Sequence, residues 1–229
     1  MRSPVNGRVA GVLYLIIIVF GLFKEVVVRS VTVSGDAAAT AANIRDAALL
    51  FRLGFVANLV FLVGEVVLSV LLYLLLRPVN ASVSLVAAAL RLVMVAILGV
   101  NLLTMFAALV VLDRPGFPPG SALFLLDLHR YGYALGLTFF AANCLATGYL
   151  LVRSRRAPTA LGVLLGVAGV GYLLNSLVLF LVPGDGGAAR ALLLAPALVA
   201  ETWFCAVLLR RGGGADEWAP LSCRRPATV

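Results

Sequence analysis

Residues 48–76 and 82–112 form two consecutive apolar runs whose charged residues are Arg52, Glu65 and Arg91. Each run exceeds the ~20 residues that cross a hydrocarbon core. In hydrocarbon the backbone must satisfy its own polar groups, so an open chain crosses as helix. The pattern predicts a helical hairpin turning at Arg77-Pro78-Val79-Asn80. Pro78 lies thirteen residues after Glu65 and thirteen before Arg91. At a rise of about 1.5 Å per residue, both charges then sit at one depth, roughly 20 Å from the turn. A charge at that depth costs a few kcal/mol or more unless it is paired or hydrated. The hairpin between residues 53 and 101 therefore predicts a Glu65–Arg91 pair and marks the first candidate functional layer.

The composition agrees with a membrane solvent. The chain has 229 residues, 62% hydrophobic and 12% charged, against about a quarter charged in a soluble domain. Its mean hydropathy is +1.09. The net charge of +8 does not point to nucleic acid, because the basic residues collect at the ends of apolar runs rather than on one face. That distribution belongs to membrane topology and to attraction for anionic headgroups. Cys144, Cys205 and Cys223 show no metal or disulfide spacing, and the first two lie in apolar runs. The one histidine, His129, rules out a His-rich metal site or a haem held by two histidines of one chain. No metal and no cofactor is expected.

Six spans follow from the same reading. Arg2 and Arg8 precede a first apolar run from Val9 to Phe23, which continues through a snorkelling Lys24-Glu25 to about Val28. A cleavable signal peptide is the competing interpretation, but the run is long enough to span. Asp36 is placed to cap a short interfacial helix. Further helices are expected at 48–76, 82–112, 122–152, 159–181 and 189–209, the last containing Pro196 and Glu201. Pro and Gly mark the turns at 113–120 and 183–187. The expected fold is all-α, a six-helix membrane domain over 1–211 with a flexible cytoplasmic tail over 212–229.

An even number of spans puts both termini on one side. That side would carry ten Lys/Arg against seven on the other, with the bias strongest in the short turns. Both termini are expected to be cytoplasmic. Arg45 and Arg52 fall on the disfavoured side.

A local pattern adds a family. Leu126-Asp127-Leu128-His129 leads into Gly136-Leu137-Thr138-Phe139-Phe140, then Gly148-Tyr149-Leu150-Leu151-Val152-Arg153-Ser154. Pro158, Leu161-Gly162-Val163-Leu164 and Gly169-Val170-Gly171-Tyr172-Leu173-Leu174-Asn175-Ser176 follow. With Leu72-Tyr73-Leu74-Leu75-Leu76-Arg77-Pro78-Val79-Asn80, these residues resemble the bacterial domain-of-unknown-function family 4386. The resemblance runs from Gly11 to about Arg210. It implies a bacterial multi-span integral membrane protein and carries no established activity or catalytic residue; the inner membrane is the expected location.

Three sets of candidate residues remain. Glu201 lies nine residues inside Arg210, about 13 Å by helical rise, which puts it near the Glu65/Arg91 layer. His129, Tyr133, Gly136, Phe140, Asn143 and Thr147 follow each other at intervals of three and four and so share one helix face. That face either lines a polar cavity or forms a packing seam. Gly162 and Gly166 make a GxxxG motif for close helix contact, within the bundle or in a homo-oligomer. His129 and Asp127 are two apart and point to different sides of a helix, and no nucleophile accompanies them.

Three functions fit. The first is binding or translocation of a small polar or amphiphilic molecule at the Glu65/Arg91/Glu201 layer, reached past Asn58, Asn101, Asn143 or Asn175. The second is an enzyme acting on a membrane lipid, with His129, Asp127 or the carboxylates as acid and base. The third is a non-catalytic membrane subunit whose charges serve packing. Membrane lipids are expected partners, and nucleic acid is not.

Overall fold

The computed structural model describes residues 6–118, 120–154, 156–182 and 187–219. Arg2, Arg155, the loop at 183–186 with Asp185, and the tail beyond 219 with Cys223, Arg224 and Arg225 lie outside the described residues. Among those described, seven α-helices and one short 3-10 turn account for the regular structure: α1 Gly7–Val31, α2 Ala37–Asp46, α3 Ala48–Leu76, α4 Ala81–Leu112, α5 Gly120–Arg153, α6 Thr159–Leu181 and α7 Gly187–Arg211. All but α2 are long and apolar enough to cross a membrane. The six expected spans are recovered with boundaries shifted by at most three residues.

Local chemistry starts several of these helices. The side chain of Asn6 accepts the amide of Arg8 at 3.0 Å, Asp36 accepts that of Ala39 at 2.9 Å, and Asn80 accepts that of Val83 at 3.1 Å. Each cap satisfies an amide that the first helical turn leaves without an intrahelical partner. Asp36 therefore starts the short helix read from the sequence, and Asn80 restarts the chain just after Pro78.

The long helices close into a ring in chain order. α1 packs on α3, α3 on α4, α4 on α5, α5 on α6, α6 on α7, and α7 returns to α1. Large apolar side chains such as Val26, Val63, Val100, Leu135 and Leu181 point outward. That is the surface a helix bundle presents to lipid.

Close approach in the bundle rests on glycine. A Cβ on Gly148 of α5 would meet the carbonyl oxygen of Gly162 at 2.6 Å, and a Cβ on Gly162 would meet that of Gly148 at 2.7 Å. Gly162 is thus turned into the α5–α6 contact inside the bundle. A Cβ on Gly166 meets nothing within 4 Å.

The end of the bundle where the described chain starts and stops, at Asn6 and Ala219, is closed by the chain itself. The segment after α7 was expected to be flexible, yet residues 212–219 are packed. Gly7 donates its amide to Gly213 at 3.0 Å, and Arg156 pairs with Glu217. Ser154 donates its hydroxyl to the carbonyl of Trp218 at 3.1 Å. Trp218 is fully buried. The polar character of the tail hid one large apolar anchor.

The glycine contact makes a direct prediction. Gly148→Ala and Gly162→Ala should each destabilise the bundle by about 1–3 kcal/mol through overpacking against backbone. Gly166→Ala should leave its unfolding curve in SDS unchanged or improve it slightly through helix propensity.

Candidate functional site

All six long helices contribute to the charged layer, α7 with two residues and the others with one each. Glu65 of α3 and Arg91 of α4 meet as the hairpin arithmetic requires. Arg91 Nε donates to Glu65 Oε2 at 2.5 Å and Nη2 donates to Oε1 at 3.4 Å. Their side chains are 4% and 3% exposed, respectively. A two-pronged contact of this kind fixes both orientation and distance. In so dry a place it also supplies the hydrogen bonds without which either charge would be prohibitive.

Aromatic rings complete the surroundings of Arg91. Its guanidinium carbon lies 5.6 Å from the ring centre of Tyr14 on α1 and 5.2 Å from that of Phe140 on α5. Both are within cation–π range. Phe140 in turn packs edge-on to Tyr172 of α6, with centroids 5.3 Å apart, and Tyr14 packs edge-on to Phe204 of α7 at 5.9 Å.

Glu201 joins the layer through a different partner. The Tyr172 hydroxyl donates to Glu201 Oε1 at 2.6 Å. Glu201 forms no ion pair among the described residues, and it is partly rather than fully buried. The layer therefore holds two unlike carboxylates. Glu65 is locked to a cation, whereas Glu201 is held by a neutral hydroxyl.

A small cavity opens beside Arg91 on the side of the termini. Ser69, Tyr73, Ser84, Asn143 and Thr147 are among the residues that line it with Arg91, and its volume is about 10 Å³. That is room for about one water. Three of its polar groups are already engaged. Ser69 donates to the carbonyl of Ala88 at 3.1 Å, Ser84 to that of Tyr73 at 3.0 Å, and Asn143 to that of Ala87 at 2.8 Å.

The helical face running from His129 to Thr147 on α5 is used mainly for packing. Asn101 of α4 donates to the carbonyl of His129 at 2.8 Å and lies 3.2 Å from its Nδ1. Thr104 is 3.3 Å from the same nitrogen. Gly132 makes this approach possible, because a Cβ there would sit 2.0 Å from Asn101 Oδ1. Gly136 admits Leu98 in the same way. Asp127 faces Arg130 at 3.7 Å, so His129 and Asp127 keep separate partners. Elsewhere Asn58 lies 3.8 Å from the sulfur of Met105, and Asn175 is buried in α6. Among the asparagines, Asn143 is the one beside the Arg91 cavity.

Lys24 departs from the sequence reading, which sent it snorkelling toward the interface. It is 6% exposed, and its ammonium lies 4.2 Å from the ring centre of Phe61 and 4.6 Å from that of Tyr133. The reason is its face of the helix. Ala10, Tyr14, Ile17, Lys24, Val27 and Val31 form the buried stripe of α1. Spacing by three, four and seven from Tyr14 would have placed Lys24 inward. Tyr14 and Tyr172 had no such signal, since a tyrosine in an apolar run is ordinary until its hydroxyl or ring meets a charge from another helix.

Among the described residues, no group of three His, Cys, Asp or Glu side chains could hold a metal ion. The comparisons with known proteins give a family and stop there. A family model described as "Domain of unknown function (DUF4386)" matches residues 9–212, and the chain belongs to that family. No curated protein and no solved structure matches it.

The dry pair predicts a specific pattern of stabilities. Arg91→Met should cost about 3–5 kcal/mol by leaving a carboxylate buried without its cation. Adding Glu65→Gln to Arg91→Met should recover most of that loss in the same SDS titration. Additive losses in the double variant would mean that the two charges are not paired.

Proposed function

We propose that this member of the DUF4386 family is a multi-pass protein of the bacterial inner membrane that binds or translocates a small polar or amphiphilic molecule at the charged layer. Glu201 is the group that meets the molecule. The observation that carries this reading is the inequality of the two carboxylates. Both oxygens of Glu65 accept from Arg91, while among the described residues Glu201 accepts from a single neutral hydroxyl and is partly buried. A carboxylate inside the membrane with no cation of its own favours a ligand that brings a positive charge or several hydrogen-bond donors. An amine headgroup has that chemistry.

The rest of the layer supports this assignment by what it withholds. Arg91 is held between two rings and a carboxylate, so it orients Phe140 and through it Tyr172, the donor to Glu201. The described chain starts at Asn6 and stops at Ala219 at one end of the bundle, and the basic turns at that end support an orientation with both termini in the cytoplasm.

A second reading has its own support. The cavity beside Arg91 holds about one water, and the surrounding polar groups are mostly satisfied within the fold. A layer serving packing alone would look like this around Glu65 and Arg91, though it leaves Glu201 without a reason. The lipid-enzyme reading gains less, because His129 is engaged by Asn101 and Thr104 and is separated from Asp127.

The experiment is uptake and thermal stabilisation with a series of primary and quaternary amines, using the full chain in proteoliposomes. At least one amine should stabilise the protein or cross the bilayer, and Glu201→Gln should weaken that response about tenfold or more through loss of a charge-assisted contact. If no amine binds, or if Glu201→Gln responds like the parent protein, the reading fails and the packing account stands.

A further inference from the structure

A second feature lies at the opposite end of the bundle, away from the termini. Between the start of α3 and the end of α4 runs a groove of about 190 Å³ lined by Phe51, Arg52, Phe55, Val56, Phe106 and Leu109. Five of these are apolar. The rings of Phe55 and Phe106 meet across the two helices with centroids 5.2 Å apart, and Phe51 is buried beneath.

Arg52 is the one charge on the groove. It is exposed, and among the described residues it forms no ion pair and no side-chain hydrogen bond. It is the fifth residue of α3, about 6 Å along the helix axis from Ala48. From there a guanidinium reaches headgroup level while its stem stays in the apolar layer. Arg45 lies at the same end of the fold and donates to the carbonyl of Leu112 at 3.4 Å, at the last residue of α4. Both are among the seven Lys/Arg that the topology expected from charge bias puts on the disfavoured side of the membrane. Neither has a carboxylate within ion-pair distance among the described residues.

We propose that this groove is a binding site for an anionic phospholipid, with an acyl chain segment lying on Phe55 and Phe106 and the phosphate on Arg52. The volume sets the scale, since a cavity of about 150 Å³ already holds a benzene-sized molecule. The groove therefore takes several methylene groups and leaves the rest of the lipid in the bilayer. The apolar lining offers the headgroup nothing, and Arg52 offers the chain only its stem, so the two parts of one amphiphile match the two parts of the site. The site is separate from the charged layer and does not depend on its reading.

The test uses the full chain in vesicles containing either phosphatidylglycerol or phosphatidylcholine, each with the same diazirine-bearing acyl chain, followed by peptide mapping of the photo-adducts. Adducts should concentrate at residues 51–56 and 106–109 and favour phosphatidylglycerol. Arg52→Gln should reduce that preference about fivefold, the effect of one basic residue at an anionic surface, and Arg52→Lys should retain most of it. Val56→Trp, at an exposed position, should block the groove and remove the adducts of both lipids. Equal labelling by the two lipids, adducts spread evenly over the lipid-facing helices, or a preference unchanged in Arg52→Gln would each overturn the proposal.

Discussion

A guanidinium and a carboxylate removed from both water and lipid must satisfy each other, and the Arg91–Glu65 pair is where this bundle meets that requirement. Neither charge is tolerable alone at such burial, so the register of α3 against α4 is held by the pair as well as by apolar packing. The consequence spreads outward through contacts of known geometry. Tyr14 and Phe140 flank the guanidinium, Phe140 positions Tyr172, and Tyr172 holds Glu201. One ion pair thereby ties six helices into a single layer.

Packing elsewhere serves the same layer. The glycines at 132, 136, 148 and 162 let α5 approach α4 and α6 closely, which keeps Phe140 within reach of both Arg91 and Tyr172. Without that proximity the rings would be replaced by lipid or by water, and the cost of the buried charges would rise. Lys24 shows a different solution. Its ammonium is enclosed by Phe61 and Tyr133, so aromatic faces stand in where no carboxylate among the described residues pairs with it. At the terminal end, Trp218 and the Arg156–Glu217 pair close the bundle.

Much of this was legible in the sequence, and the limits have physical reasons. Hydropathy alone located six spans because backbone in hydrocarbon allows little besides helix. The Glu65–Arg91 contact was legible because a hairpin symmetric about Pro78 fixes depth on both arms. Depth does not fix rotation about the helix axis, however, and so Lys24 was placed outward although the Tyr14 stripe carries it inward. The partner of Glu201 was illegible for a related reason: Tyr172 belongs to a neighbouring helix running the opposite way, and nothing local distinguishes it from a lipid-facing tyrosine. Trp218 was hidden by the polar residues around it. His129 was one candidate among several, weak evidence by itself for chemistry, and Asn101 and Gly132 make it part of a packing contact. The pairing of Asn101 with a glycine three residues beyond His129 becomes meaningful only when α4 and α5 are brought together.

The central claim is that the layer contains one dry, locked carboxylate and one that is available. Solid-state NMR of the protein in lipid bilayers addresses it most directly, by dipolar recoupling between the Arg91 guanidinium nitrogens and glutamate carboxyl carbons combined with magnetisation transfer from water. The account predicts strong coupling from Arg91 to Glu65, none to Glu201, and faster water transfer to Glu201 than to Glu65. Coupling of Arg91 to Glu201, or equal hydration of the two carboxylates, would contradict it.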